Sequence, residues 1–427
     1  MAYRVAGIDI HKRMLAVVVA DVAVETEYVF ERRLVGTTPD QLRGLAAWFI
    51  ECEVEEVVME STAQYWRPVW DALERDWQSV RRLRPDAPPT AGALHLAQAQ
   101  SNHGPRGRKK DFPDAERLVK RLVAHELILS FVPDVTQRLW RTVTRRKFQL
   151  TCNRVQLRNR LECLLEEMHL KVSSLVSDLL GLSARRMLRA VGGGVTDPAT
   201  VAALGSPRLQ ATPDQLRDAL GACTELHPVY RRLLTLTLDE LDGLETHLRQ
   251  LDEELAQLLR EHQAAVQRLA AVPGLGVDSA QQIIAEVGPT AATFATAKRL
   301  ASWVGACPGH DESAGVNHSR RSPNGNRQMR RLLNQAANAA VKTKGSIFEL
   351  VYRRLVVRLG HAQAIGAIAH RLCRLVWKIL HDGVTYEERG PAVTKVRAQR
   401  RAAKMIRELR GLGYRVLPVV SPASALA

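Results

Sequence analysis

VAGIDIHKRMLAVVV, residues Val5 to Val19, reads as a strand, a tight reversal at His11–Lys12–Arg13, and a second strand. Asp9 lies inside the first strand among apolar neighbours. A carboxylate there is costly to bury unless something pairs with it, and a metal ion is one such partner. Three more acids follow in chain order as candidates to share an ion: Glu60 in VVMESTAQYW, then Asp111 and Asp114 in KKDFPDAERL.

Outward from that stretch, strands are expected at Arg4–Ile10, Met14–Ala20 and Thr26–Val35. Thr38–Pro39–Asp40 opens a helix, with Pro39 suited to its first turn. A short strand at Glu56–Met59 runs into Glu60; a helix follows from about Tyr65 to Trp77, with a candidate strand at Val80–Leu83. Asn102–Lys110 is a basic loop, and Phe112–Val123 reads as a helix. Strands first, then alternating units, imply an α/β domain of ribonuclease H-like order over residues 1–136.

Residues 137–262 have an almost wholly helical pattern. Leu241, Leu244, Leu248, Leu251, Leu255 and Leu258 form a coiled-coil seam with polar residues between them, extendable back to Leu234. The seam can pair between chains or fold back on Leu150, Leu157 and Leu164. Gly192–Gly194 and the Pro198–Pro213 region interrupt the helices. A third unit, 263–390, opens on LAAVPGLGVDSA with the spacing of a helix-hairpin-helix. Gly274 and Gly276 would there let backbone N–H groups meet a phosphate without reading sequence. Phe294–Gly305, a loop at Cys307–Arg327 and a helix from about Gln328 to Lys342 follow. A basic helix from Lys395, ending in a short strand-like stretch, forms the tail, 391–427.

The chain has 427 residues, a formal charge of +16 and a pI near 10, which point to a polyanionic partner, most simply nucleic acid. Residues 301–427 hold 22 Lys and Arg against 7 Asp and Glu, a net +15, so the basic character is C-terminal. The six cysteines include no CxxC pair, which argues against a structural zinc site and a secreted disulfide framework. Neither a signal-peptide pattern nor an apolar run of spanning length is present, so a cytoplasmic location and no membrane partner are expected.

Paired divalent ions held by carboxylates activate an attacking oxygen and stabilise a leaving one at phosphorus. Asp9 in mid-strand, Glu60 at a strand end, and Asp111 and Asp114 on one helical face suit that work. For any single acid, and for Asp111 above all, the alternative is a first-turn aspartate that caps a helix and meets its dipole. In PGHDESAG, Ser313 precedes Arg320, Arg321, Arg327, Arg330 and Arg331. A serine attacking a phosphodiester needs its phosphate held and the developing charge stabilised, as guanidinium groups do. The alternative for the arginines is plain phosphate contact, and His310 and His318 have no assigned role.

With these residues in view, the chain resembles the IS110-family transposases nearly end to end, with a helical middle similar to the IS1111 group. GIDIHK, ESTAQYW and KKDFPDAERL resemble that family's four-acid (DEDD) RuvC-like motifs; VPGLGVDSA, DESAG, NGNRQMRRLLNQAA and GLGYRV resemble its transposase domain. Ala63 and Gln64 depart from the family, in which a glycine often follows the threonine. Pro113 also stands between the two aspartates.

The resemblance implies Mg²⁺ ligation by Asp9, Glu60, Asp111 and Asp114, and Ser313 as the nucleophile of a covalent phosphoserine–DNA link. It also implies donor and target DNA as partners, a non-coding bridge RNA pairing with both, a tetramer or dimer of dimers, and a nucleoid-associated cytoplasmic setting. The expected fold is α+β and multidomain: a RuvC-like α/β domain, a helical coiled-coil and oligomerisation region, and a mostly α transposase domain. Two alternatives stand beside a recombinase. One is a Holliday-junction-type nuclease using the same acids with water; the other is a non-catalytic architectural nucleic-acid-binding protein.

Overall fold

Strand β1 (Arg4–Ile10) turns back through a His11 N–H to Met14 C=O hydrogen bond of 3.0 Å and pairs antiparallel with β2 (Met14–Asp21). β2 pairs antiparallel with β3 (Phe30–Gly36), and helix α1 (Pro39–Glu51) follows. β4 (Glu56–Glu60) returns parallel to β1; helix α2 (Trp66–Asp76) precedes β5 (Leu94–Ala97), which is parallel to β4. The sheet order is β3-β2-β1-β4-β5, consistent with a RuvC-like domain. This computed structural model describes residues 3–22, 28–60, 63–77, 94–99, 111–309, 311–313, 316–319, 322–388 and 395–416. The chain divides into two compact units, Met1–Asp134 and Val135–Ala427.

In the first unit, alternation along β1 sends Ala6, Ile8 and Ile10 to the face covered by α1 and α2. Val5, with Val18 of β2 and Val58 of β4, lies on the opposite face under α3 (Asp111–Val123). Both faces are covered, which is why these strands read as nearly continuous apolar runs. β5 was not expected: four residues interrupted by His95 carry too little pattern. Val80–Leu83 and Asn102–Lys110 fall outside the described residues, as does the start expected for the third strand, which is described from Phe30 onward.

The second unit begins with α4 (Val135–Glu167), α5 (Leu182–Gly192), α6 (Pro198–Ala202), α7 (Pro213–Ala219) and α8 (Pro228–Leu258). α4 and α8 run antiparallel. Leu157, Leu161 and Leu165 share a core with Leu234, Leu238 and Leu241, while Trp140 at the other end meets Leu255 and Leu259. Within the chain α8 folds back along α4, one of the two pairings open to the leucine seam. Leu244, Leu248, Leu251 and Leu258 are half-buried along it.

α9 (Gln263–Ala270), α10 (Val277–Val287) and α11 (Ala297–Val304) follow. The expected loop at Cys307–Arg327 contains a hairpin, β6 (Asp311–Ser313) with β7 (Val316–Ser319), whose strands are too short to leave a periodic signal. After it come α12 (Arg327–Ala340), α13 (Ile347–Asp382) and α14 (Lys395–Gly411). α13 was overlooked in the sequence. It is kinked at Gly360 (φ 75°, ψ 171°), and beyond the kink it buries Ile365, Ile368, Leu372, Val376 and Ile379 at helical spacing. No strand forms over residues 412–416, and the remainder of the strand-like ending lies outside the described residues.

Candidate active site

The parallel ladder pairs Ile8 with Met59, so the next residues, Asp9 and Glu60, stand level on neighbouring strands. Asp9 is two residues beyond Gly7 and Glu60 two beyond Val58, so both belong to the α3 face. Gly7 sets how near α3 can come. A Cβ there would lie 2.4 Å from the Ala115 carbonyl oxygen and 2.8 Å from Val119, so only glycine admits the helix. α3 starts at Asp111 and carries Asp114 one turn later.

Asp9 and Asp111 meet through a third residue. His11 Nε2 lies 3.3 Å from Asp9 Oδ2 and 3.3 Å from Asp111 Oδ1. Ligand atoms of these three side chains fall within 4.8 Å of one another. Asp9 is largely enclosed, with its side chain 13% exposed, whereas His11 and Asp111 are open to solvent. Glu60 and Asp114 flank this group without joining it, and the Asp114 carboxylate accepts from Arg117 Nη1 at 2.6 Å. His11 was missed in the sequence, although it stands two residues from Asp9, the spacing of same-face neighbours along a strand.

The donor set fits a divalent cation. Carboxylate oxygens suit Mg²⁺ or Mn²⁺, and an imidazole nitrogen suits later divalent metals.

In the second unit, Ser313 is the last residue of β6 and pairs with Val316, so it stands at the hairpin tip. His310, Arg320 and Arg321 lie outside the described residues. Arg327 is exposed in the first turn of α12, and Arg330 Nη1 donates to the Pro323 carbonyl at 3.2 Å. Arg331 is turned inward. Its guanidinium lies 3.6 Å from the Phe148 ring centroid and donates to Gln282 Oε1 at 2.8 Å, and burial lowers its pKa.

Gly274 and Gly276 differ in kind. Gly274 has φ +84°, and a Cβ there would meet the Ala336 carbonyl oxygen of α12 at 2.3 Å, so internal packing demands glycine. Gly276 precedes α10 with open space around it.

Sequence reasoning also missed Glu286, 2% exposed on α10. It accepts from Arg145 Nε and Nη2 at 2.8 and 3.0 Å and from Asn326 Nδ2 at 2.9 Å. Asn326 caps α12, so this buried carboxylate ties α4, α10 and the exit of the serine hairpin together.

Two family models match the chain. Residues 6–170 match the DEDD transposase model of IS110 elements, and residues 266–353 match one described as transposase IS116/IS110/IS902 family. The chain belongs to the IS110 family of transposases. The first match spans all four acids, and the second spans the two glycines, Ser313 and the five arginines.

Among similar proteins is an uncharacterized 43.6 kDa protein of insertion element IS110 from Streptomyces coelicolor, 29% identical over 45% of this chain and 48% of that protein. An uncharacterized 42 kDa protein of insertion element IS900 from Mycobacterium paratuberculosis is 29% identical over 37% of this chain and 39% of its own length. The transposase for insertion sequence element IS1111A from Coxiella burnetii is 27% identical over 38% and 45%. The chain thus spans about half the length of the curated relatives it matches, or less. Among the described residues of this IS110-family chain, no helix is long and apolar enough to cross a membrane.

Proposed function

We propose that this chain is the DNA recombinase of an insertion sequence, cutting and rejoining donor and target DNA through a serine–phosphate intermediate. The observation that carries the reading is the convergence of Asp9, Glu60 and the start of α3 on one face of the sheet, in a chain of a transposase family. In this reading Asp9, Glu60, Asp111 and Asp114 hold Mg²⁺, which when bound supplies charge stabilisation at phosphorus. His11, whose Nε2 lies 3.3 Å from both the Asp9 and the Asp111 carboxylates, keeps them oriented. Ser313, at the hairpin tip, gives up its hydroxyl proton as its Oγ bonds to the scissile phosphorus. The P–O bond to the departing strand breaks, and the departing oxygen takes up a proton. Attack by a hydroxyl of the exchanged strand reverses these steps and frees the serine. Bond energy is held in the phosphoserine, so no nucleotide cofactor is required.

Arg320, Arg321, Arg327 and Arg330 steady the phosphate in this scheme, and Gly276 at the start of α10 adds backbone contact. By family resemblance the assembly includes a bridge RNA and four chains, with acids and serine drawn from different subunits.

The test is covalent trapping: protein, Mg²⁺, co-purifying RNA and DNA spanning the element junction, denatured and resolved on a gel. A protein–DNA band that is lost in Ser313→Ala is expected. Cleavage with free ends and no such band would instead identify a metal-dependent nuclease, and Mg²⁺-independent binding alone would identify an architectural protein.

A further inference from the structure

Beside the serine hairpin lies a cavity of about 860 Å³ whose lining includes residues from both sides of the hairpin, Cys307 and Pro308 before it and Ser322 after it. Its opposite wall is α13 beyond the Gly360 kink. There Ala362, Gly366 and Ala367 leave the floor low, and a Cβ at Gly366 would meet nothing within 4 Å. Arg330, Arg371 and Arg374 line it, and among the described residues no acid does. Arg371 and Arg374 are exposed and make no ion pair with any described residue; Lys378, one turn further, is exposed likewise. Arg371, Arg374 and Lys378 also line an adjoining hollow with Trp377, so a cationic row at i, i+3 and i+7 continues past the cavity along one helix face. His370 accompanies the row, its Nδ1 2.8 Å from the Ala306 carbonyl oxygen. A carbonyl can only accept, so Nδ1 carries the hydrogen, and in neutral His370 Nε2 is an acceptor.

We propose that this cleft holds the phosphodiester backbone of the DNA strand that Ser313 attacks, with Arg371, Arg374 and Lys378 as positioning residues along its path. The inference rests on the recombinase reading for its choice of DNA, but not on the serine chemistry for its test. Exposed cations along an open cleft, with no acid among its described lining residues, match a polyanion, and small residues on the floor admit a sugar–phosphate chain. The same row contacts no base edge by necessity, so it would fix strand position without selecting sequence.

The experiment uses full-length protein in a Ser313→Ala background without metal, and a fluorescein-labelled DNA duplex followed by anisotropy across a salt series. Replacing Arg371 and Arg374 together with glutamine is expected to weaken binding several-fold and lower the log–log salt slope by about 2, at roughly 0.9 per lost phosphate contact. Gly366→Leu changes no charge and adds its side chain into open space, so the fold is expected to hold; it should weaken DNA binding by obstructing the cleft. Unchanged affinity and slope in both variants would overturn the proposal, and so would loss confined to a labelled single-stranded RNA while DNA binding persists. Either result leaves the covalent-trapping test standing, and absence of a trapped adduct leaves this one standing.

Discussion

At the scale of single residues, the site depends on positions that do no chemistry. Gly7→Ala would drive a methyl group into the Ala115 carbonyl, and a cost of about 3 kcal/mol is expected from overpacking. Because α3 carries Asp111 and Asp114, the same variant should lose metal affinity by calorimetry while keeping all four acids. Ala63 makes the opposite case. It has φ +47°, a left-handed conformation that favours glycine. Ala63→Gly is therefore expected to stabilise the first unit by up to about 1 kcal/mol in urea denaturation. Asp9 stood out in the sequence because a carboxylate in an apolar strand is conspicuous, and Glu60, Asp111 and Asp114 were named as candidates to share its ion. His11 and Glu286 were not, because their roles come from residues distant in the chain: Asp111 for the first, Arg145 and Asn326 for the second.

At the scale of elements, the α4–α8 pair is fastened by charge as well as by leucine. Glu245 accepts from Arg154 Nε at 2.9 Å and from Arg185 Nη2 at 2.5 Å. Burial pushes its pKa up, but the hydrogen bonds and charges of Arg185 and Arg154 prevail, and the net direction is down. A carboxylate with a lowered folded pKa contributes stability above its unfolded value, near 4.3, and loses it as pH falls through the folded value. Glu245→Gln should cost about 1 kcal/mol at neutral pH and much less at acidic pH, read from melting curves at both. Glu286→Ala goes further, because it takes the carboxylate partner from Arg145 beside a buried space. A loss of about 3 kcal/mol is expected, with a disordered exit from the serine hairpin seen as faster amide exchange near Asn326. The seam leucines were legible by spacing alone. Their partner was not, since the heptad pattern is the same whether the matching helix belongs to another chain or to this one.

At the scale of the whole molecule, the first unit holds the acids and the second holds Ser313. If acids and serine come from different subunits, mixing Asp9→Ala protein with Ser313→Ala protein is expected to restore part of the trapped adduct that neither forms alone. No restoration would assign both halves to one chain. By itself the sequence determined the first four strands, β1 to β4, and the basic C-terminal segment, and it put Asp9 forward as a charge out of place. Each of these is written in local pattern: period-two apolar alternation, a charge out of place, or a count of arginines. Tertiary structure alone decided that α3 lies against β1 at Gly7, that His11 bridges Asp9 to Asp111, and that α8 folds back along α4. It alone decided that Gly274 and Arg331 serve internal packing, and that α13 lines a cleft beside the serine. Those outcomes depend on distances between segments far apart in sequence, and the energy of a close approach is known only once both surfaces are folded.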